Sequence, residues 1–130
     1  MVPEGLPAEE LIFWDAYPSL VPLYGELRQA LYARFAELSV KVGKTQISFY
    51  GRHLFAAVSA PVRRKKGWPK EFILLTLGMP RRLSSPRVIA VTEPYPGRWT
   101  HHLLLQSAEA LNEELLGWLE EAYAFAQAKR

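Results

Sequence analysis

Lys44-Thr45-Gln46-Ile47-Ser48-Phe49-Tyr50, then Gly51-Arg52, then His53-Leu54-Phe55-Ala56-Ala57-Val58-Ser59-Ala60 is the stretch that decides the fold class. Thr45, Ile47 and Phe49 alternate against Lys44, Gln46, Ser48 and Tyr50, the period-two pattern of a strand buried on one face. Gly51-Arg52 supplies a tight turn, and Leu54, Ala56, Val58 and Ala60 continue on one face until Pro61 stops them, which reads as an antiparallel hairpin.

C-terminal to the hairpin, Val62 to Lys70 is a hydrophilic connection leading into the apolar run Phe72–Leu77. Gly78-Met79-Pro80 and Ser84-Ser85-Pro86 bracket a short loop, Val88–Thr92 reads as a strand, and Pro94-Tyr95-Pro96-Gly97 is a turn before Trp99–Gln106. On the N-terminal side, Ser19 stands as an N-cap and Pro22 in a first turn, while Leu20, Leu23, Leu27, Leu31, Phe35 and Leu38 recur at helical spacing, predicting a helix over 20–38. A second helix is expected to start at Ser107, with Leu111, Leu115, Trp118, Leu119, Ala122 and Ala126 on one stripe. Gly25 and Gly117 inside these helices imply close packing or a kink. The expectation is an α+β domain over 19–130, an antiparallel sheet of about five strands packed against two main helices, N- and C-terminal, preceded by an arm over 1–18 that carries Phe13, Trp14 and Tyr17.

The chain has 130 residues, 49% of them apolar, enough to bury a core without cross-links. With no cysteine, disulfides, thiol catalysis and Cys-based metal sites are excluded; no metal or other cofactor is expected. Met1–Glu10 lacks the basic-then-apolar pattern of a signal peptide and no apolar run has membrane-spanning length, so a cytoplasmic protein without membrane contact is expected. A single Asn, with abundant Arg, Leu and Pro, fits a thermophilic source. The net charge of +3 is unevenly spread: residues 1–40 set six carboxylates against Arg28 and Arg34, residues 41–102 set twelve basic residues against Glu71 and Glu93, and the C-terminal remainder is again acidic. Such segregation points to an anionic partner, or to a homodimer in which acidic ends meet basic middles.

Lys44–Phe49, the segment Glu93-Pro94-Tyr95-Pro96-Gly97-Arg98-Trp99-Thr100-His101-His102 and Leu116-Gly117-Trp118-Leu119-Glu120-Glu121-Ala122-Tyr123 together resemble a domain-of-unknown-function family, number 5655, over about residues 19–127. The resemblance implies a mostly bacterial family whose members also occur as modules of longer chains, hence an accessory or binding role. Some members begin with a Cys/His segment suggestive of zinc. Here Pro3 to Tyr17 stands in that place, so no metal role carries over.

Standard phosphate-loop, nucleophile-elbow and zinc-helix motifs are absent, which weighs against an enzyme. Two constellations remain. Arg63, Arg64, Lys65 and Lys66, with Trp68, Lys70, Arg81 and Arg82, pair positive charge with a stacking surface and point to nucleic acid or another anion; the plainer reading is a hairpin tip kept soluble by charge. Lys44, Gln46, Tyr95, Arg98, His101 and His102 would instead form a polar stripe on the open sheet face, suited to a small ligand or to proton exchange; the plainer reading is a solvated face. Adjacent histidines on a strand face opposite ways, so His101 and His102 are not expected to share an ion. The sequence therefore favours a non-catalytic binding module for an anionic partner, with a small enzyme or ligand binder as the alternative.

Overall fold

The computed structural model describes residues 6–62 and 64–129. Three helices, α1 (Ala8–Phe13), α2 (Val21–Arg34) and α3 (Glu113–Gln127), accompany six strands: β1 (Ser39–Val42), β2 (Ile47–Tyr50), β3 (Leu54–Ser59), β4 (Ile73–Met79), β5 (Val88–Tyr95) and β6 (Arg98–Leu105). They pair antiparallel in the order β1-β2-β3-β4-β6-β5, so the chain passes beyond β6 to place β5 on an edge and then returns.

The alternating residues Ile73, Leu75, Leu77 and Met79 of β4 are fully buried and sit opposite Leu105, Leu103, His101 and Trp99 of β6. Ala56 and Val58 of β3 and Phe49 and Ile47 of β2 extend the same face. Leu23, Tyr24, Leu27 and Leu31 of α2 and Leu115, Leu119 and Ala122 of α3 join it in one apolar cluster. A bulge opposite Phe49/Tyr50 interrupts the alternation of β3. As a result Phe55 and its neighbour Ala56 both belong to the cluster, while Leu54 is left exposed.

Three sequence expectations need correction. Helix α2 ends at Arg34, because Phe35 is extended (φ −117°, ψ 121°) and turns inward to stack on Tyr123 at 4.2 Å and meet Phe55 edge-on at 5.3 Å. Residues 39–42 thereby become a sixth strand, the edge β1. Helix α3 is capped by Asn112, whose side chain accepts from the Leu115 N–H at 3.0 Å, while Ser107 precedes only a 3-10 turn, Ala108–Ala110. At Gly117 nothing packs closely, since an added Cβ would meet open space.

The described part of the N-terminal arm is docked. Trp14 is fully buried against Phe13 and Tyr24. Glu10, also buried, accepts from the Tyr24 hydroxyl and from Arg28 Nε at 2.7 Å. Burial and the Glu10 carboxylate push the Tyr24 hydroxyl far above its ordinary 10.0, so it remains a donor.

Two consequences follow for stability. Glu10→Ala leaves Arg28 and Tyr24 without their acceptor and should cost about 2–3 kcal/mol in urea unfolding, the low side of the range for breaking a buried pair because Arg28 is partly in water. Gly117→Ala, in open space on α3, should instead raise stability by about 1 kcal/mol.

Candidate functional site

The period of two that seals one face of the sheet determines what the other presents. On β4 and β6 the residues between the buried ones are Leu74, Thr76 and Gly78, opposite Leu104, His102 and Thr100. Registers on either side extend the middle row as Lys41, Ser48, Ala57, Thr76, His102 and Ala90 across all six strands. These are small or polar residues, and Thr76 Oγ1 lies 3.0 Å from His102 Nδ1.

Where the last turn of α3 reaches the end of this face, the surface closes into a cleft of about 320 Å3. Its floor carries Ala57, Thr76, Gly78 and Thr100; Gln46 and Leu54 stand at the β2–β3 side, Tyr95 and Arg98 at the β5–β6 hairpin, and Phe125 and Lys129 on the helix. The hairpin turn needs Gly97, whose φ of 76° suits glycine, and the Gly97 N–H donates to the Glu93 carboxylate at 3.1 Å. That turn sets Arg98 opposite Tyr95. The Arg98 guanidinium carbon and Lys129 Nζ lie 5.7 Å and 6.0 Å from the centroid of the Phe125 ring. Among the described residues no carboxylate lines the cleft, and burial together with Arg98 lowers the affinity of Lys129 for its proton.

Gly78 is the other informative position. A Cβ there would meet nothing within 4 Å, and its φ is not positive, so neither packing nor backbone conformation requires glycine in this central strand. Its absent side chain leaves the floor of the cleft clear.

The stripe expected on the open face is thus partly assembled. Gln46, Tyr95 and Arg98 line the cleft, and His102 adjoins it through Thr76. Lys44 lies in the turn before β2 and is exposed. His101 is on the opposite face, fully buried, where its Nε2 accepts from the Leu83 N–H at 2.9 Å and so must be unprotonated. The proton then sits on Nδ1, which is buried and has no hydrogen-bond partner among the described residues. Sequence reasoning missed Thr76, Gly78, Thr100, Phe125 and Lys129 as site residues; Lys129 reads from sequence only as a helix-end charge, and Gly78 only as a turn.

The basic constellation divides. Arg64, Lys65, Lys66 and Lys70 are exposed on the β3–β4 connection, whereas Arg81 and Arg82 follow β4 at its opposite end, on the order of 20 Å away along a seven-residue strand. Arg81 is held by Glu121 at 2.7 Å and 2.9 Å. Trp68 meets Phe72 edge-on at 5.7 Å, with Lys65 Nζ 5.9 Å from its ring centroid. Arg63 lies outside the described residues. A more open groove of about 750 Å3 runs along β5 and the loop Arg82–Pro86, but of its lining only Arg82 is charged. Among the described residues no three His, Cys, Asp or Glu side chains gather closely enough to hold a metal ion, and no helix is long and apolar enough to cross a membrane.

The chain matches the family described as Domain of unknown function (DUF5655) over residues 9–126, and it belongs to that family. No curated protein and no solved structure matches it.

Both histidines leave a trace in the pH dependence of folding. Burial, aided by Arg81 and Arg82 at His101 and by Lys65 at His102, lowers both below their ordinary 6.5. The unfolded chain then takes protons that the folded chain refuses, so stability is full above about pH 6.5 and falls on acidification toward the folded values. Urea midpoints measured from pH 7.5 to 5.5 should decline, and His101→Gln, which can still accept from Leu83, should flatten the decline.

Proposed function

We propose that this DUF5655 domain is a binding module for a small anionic ligand, seated in the cleft between the open sheet face and the end of α3. The observation that carries the reading is the placement of Arg98 and Lys129 over one ring, Phe125, at a cleft that no carboxylate lines. Two cations brought together and partly dehydrated repel each other. An anion between them relieves that repulsion and gains charge-assisted hydrogen bonds. Elsewhere the fold takes the opposite course: Arg28, Arg34, Arg81 and Arg87 are each paired with a glutamate.

The neighbouring hydroxyl of Thr100 adds a neutral donor, and Gln46 adds an amide. Nothing in this arrangement demands catalysis. Thr76 and His102 are hydrogen-bonded to each other as a cross-strand pair.

A second reading keeps the nucleic-acid partner. Arg64, Lys65, Lys66 and Lys70 are exposed on one connection, in ion pairs with no carboxylate among the described residues, and such a cluster suits backbone phosphates. Trp68 is partly committed to Phe72, which reduces the aromatic surface left for a base. The small-ligand cleft therefore takes precedence.

Calorimetric titration with inorganic phosphate and with acetate tests the reading. At least one should saturate a single site, and Lys129→Met should weaken it roughly ten- to hundredfold, the loss of one charged hydrogen-bond donor. Because Lys129 holds its proton less firmly in the fold than in the unfolded chain, its charge opposes folding, and the same variant should keep or raise the melting temperature. Unchanged affinity in Lys129→Met, or no binding by the native protein, overturns the proposal.

A further inference from the structure

We infer that the ligand of this cleft is a planar-ring anion, an aromatic or heteroaromatic ring bearing one carboxylate or phosphate, an inference that rests on the reading of the cleft as an anion site. The lining of the cleft is unevenly distributed. The cations, Arg98 and Lys129, stand at the β5–β6 hairpin and the helix end, whereas the opposite side at β2–β3 is formed by Leu54, Ala57 and the amide of Gln46. A bare inorganic anion uses only the first half.

The floor between these ends is flat for a physical reason. Ala57 stands opposite Thr76 across β3–β4 and Gly78 opposite Thr100 across β4–β6, so the floor is made of residues no larger than threonine. A flat surface of small residues beside the Phe125 ring suits a plane of atoms better than a branched or extended chain. The volume, about 320 Å3, is at the lower end of the range for small-molecule sites and admits one ring system with its anionic group.

Gln46 supplies the orientation. Its Nε2 donates to Ser48 Oγ at 2.9 Å, which holds the amide in place and leaves the carbonyl oxygen and the second N–H for a ligand. An amide fixed in this way presents an acceptor beside a donor, the pattern that reads the edge of a heteroaromatic ring. Tyr95, 64% exposed at the mouth, offers a further ring face.

The test compares ligands that differ in one part: benzoate and adenosine 5′-monophosphate, against acetate and inorganic phosphate, which lack the ring, and benzamide and adenosine, which lack the anion. Benzoate or the nucleotide should bind about tenfold or more tightly than its ring-free counterpart, from burial of one ring face, and whichever pair shows the gain identifies carboxylate or phosphate as the group held. Gly78→Val, which places a side chain on the floor, should bring the ring-bearing and ring-free affinities together, with the fold retained because an added Cβ meets nothing within 4 Å. Ring-bearing and ring-free anions binding equally, or a gain that survives Gly78→Val, overturns the ring inference and leaves the anion site standing; failure of all the anions overturns both.

Discussion

The pairing of β4 with β6 sets Leu77 opposite His101 and Thr76 opposite His102, and the division of the protein into a sealed face and an open face depends on this register. Slipping either strand by one residue would turn its entire apolar set to solvent. Ile73, Leu75, Leu77, Leu103 and Leu105 are all essentially without solvent exposure, so such a slip, at about 1.5–3 kcal/mol for each side chain exposed, costs an amount comparable with the whole stability of a domain. The same register brings Thr100 and Gly78 side by side on the open face, where both line the cleft, and so makes the cleft a by-product of how the core is sealed.

Charge is organised by the same packing. The acidic C-terminal region, which together with the basic middle suggested an external partner, is answered within the chain: Glu114 and Glu121 bind Arg87 and Arg81 of that middle, while Glu113 and Glu120 bind Arg34 of α2. These exposed pairs contribute little individually to stability. Their effect is to take four carboxylates of α3 out of reach of the open face, where Arg98 and Lys129 meet none. Net charge alone is therefore a poor guide to where this protein holds an anion.

The strands were legible because their periodicity is dictated by burial on one face: Ile73 to Met79 and His101 to Leu105 alternate as a half-buried antiparallel sheet must, and β2 alternates in sequence although Ser48 is buried along with Ile47 and Phe49. Phe35 and Leu38 misled, since aromatic and apolar residues continue a helical spacing whether or not the backbone does, and only the contact with Tyr123 shows that Phe35 belongs to the core as an extended residue. Gln46 was readable as an open-face residue from strand parity, whereas Tyr95 and Arg98 were read as turn residues beside the sheet. Lys129 and Phe125 were not readable as site residues, because a residue on a helix enters a site only through the tertiary placement of that helix, about which local spacing says nothing. The two halves of the basic constellation likewise look contiguous in sequence, yet β4 lies between them.

The most direct test of the central claim is a two-dimensional ¹⁵N–¹H titration of the native protein with inorganic phosphate, with benzoate as a second titrant. The account expects saturating shifts at the backbone amides of Gly78, Arg98, Thr100 and Lys129, all lining the cleft, with the β3–β4 connection unmoved. Shifts confined to Arg64–Lys70, or spread without saturation over the exposed cations, would contradict it and place the anion on the basic loop.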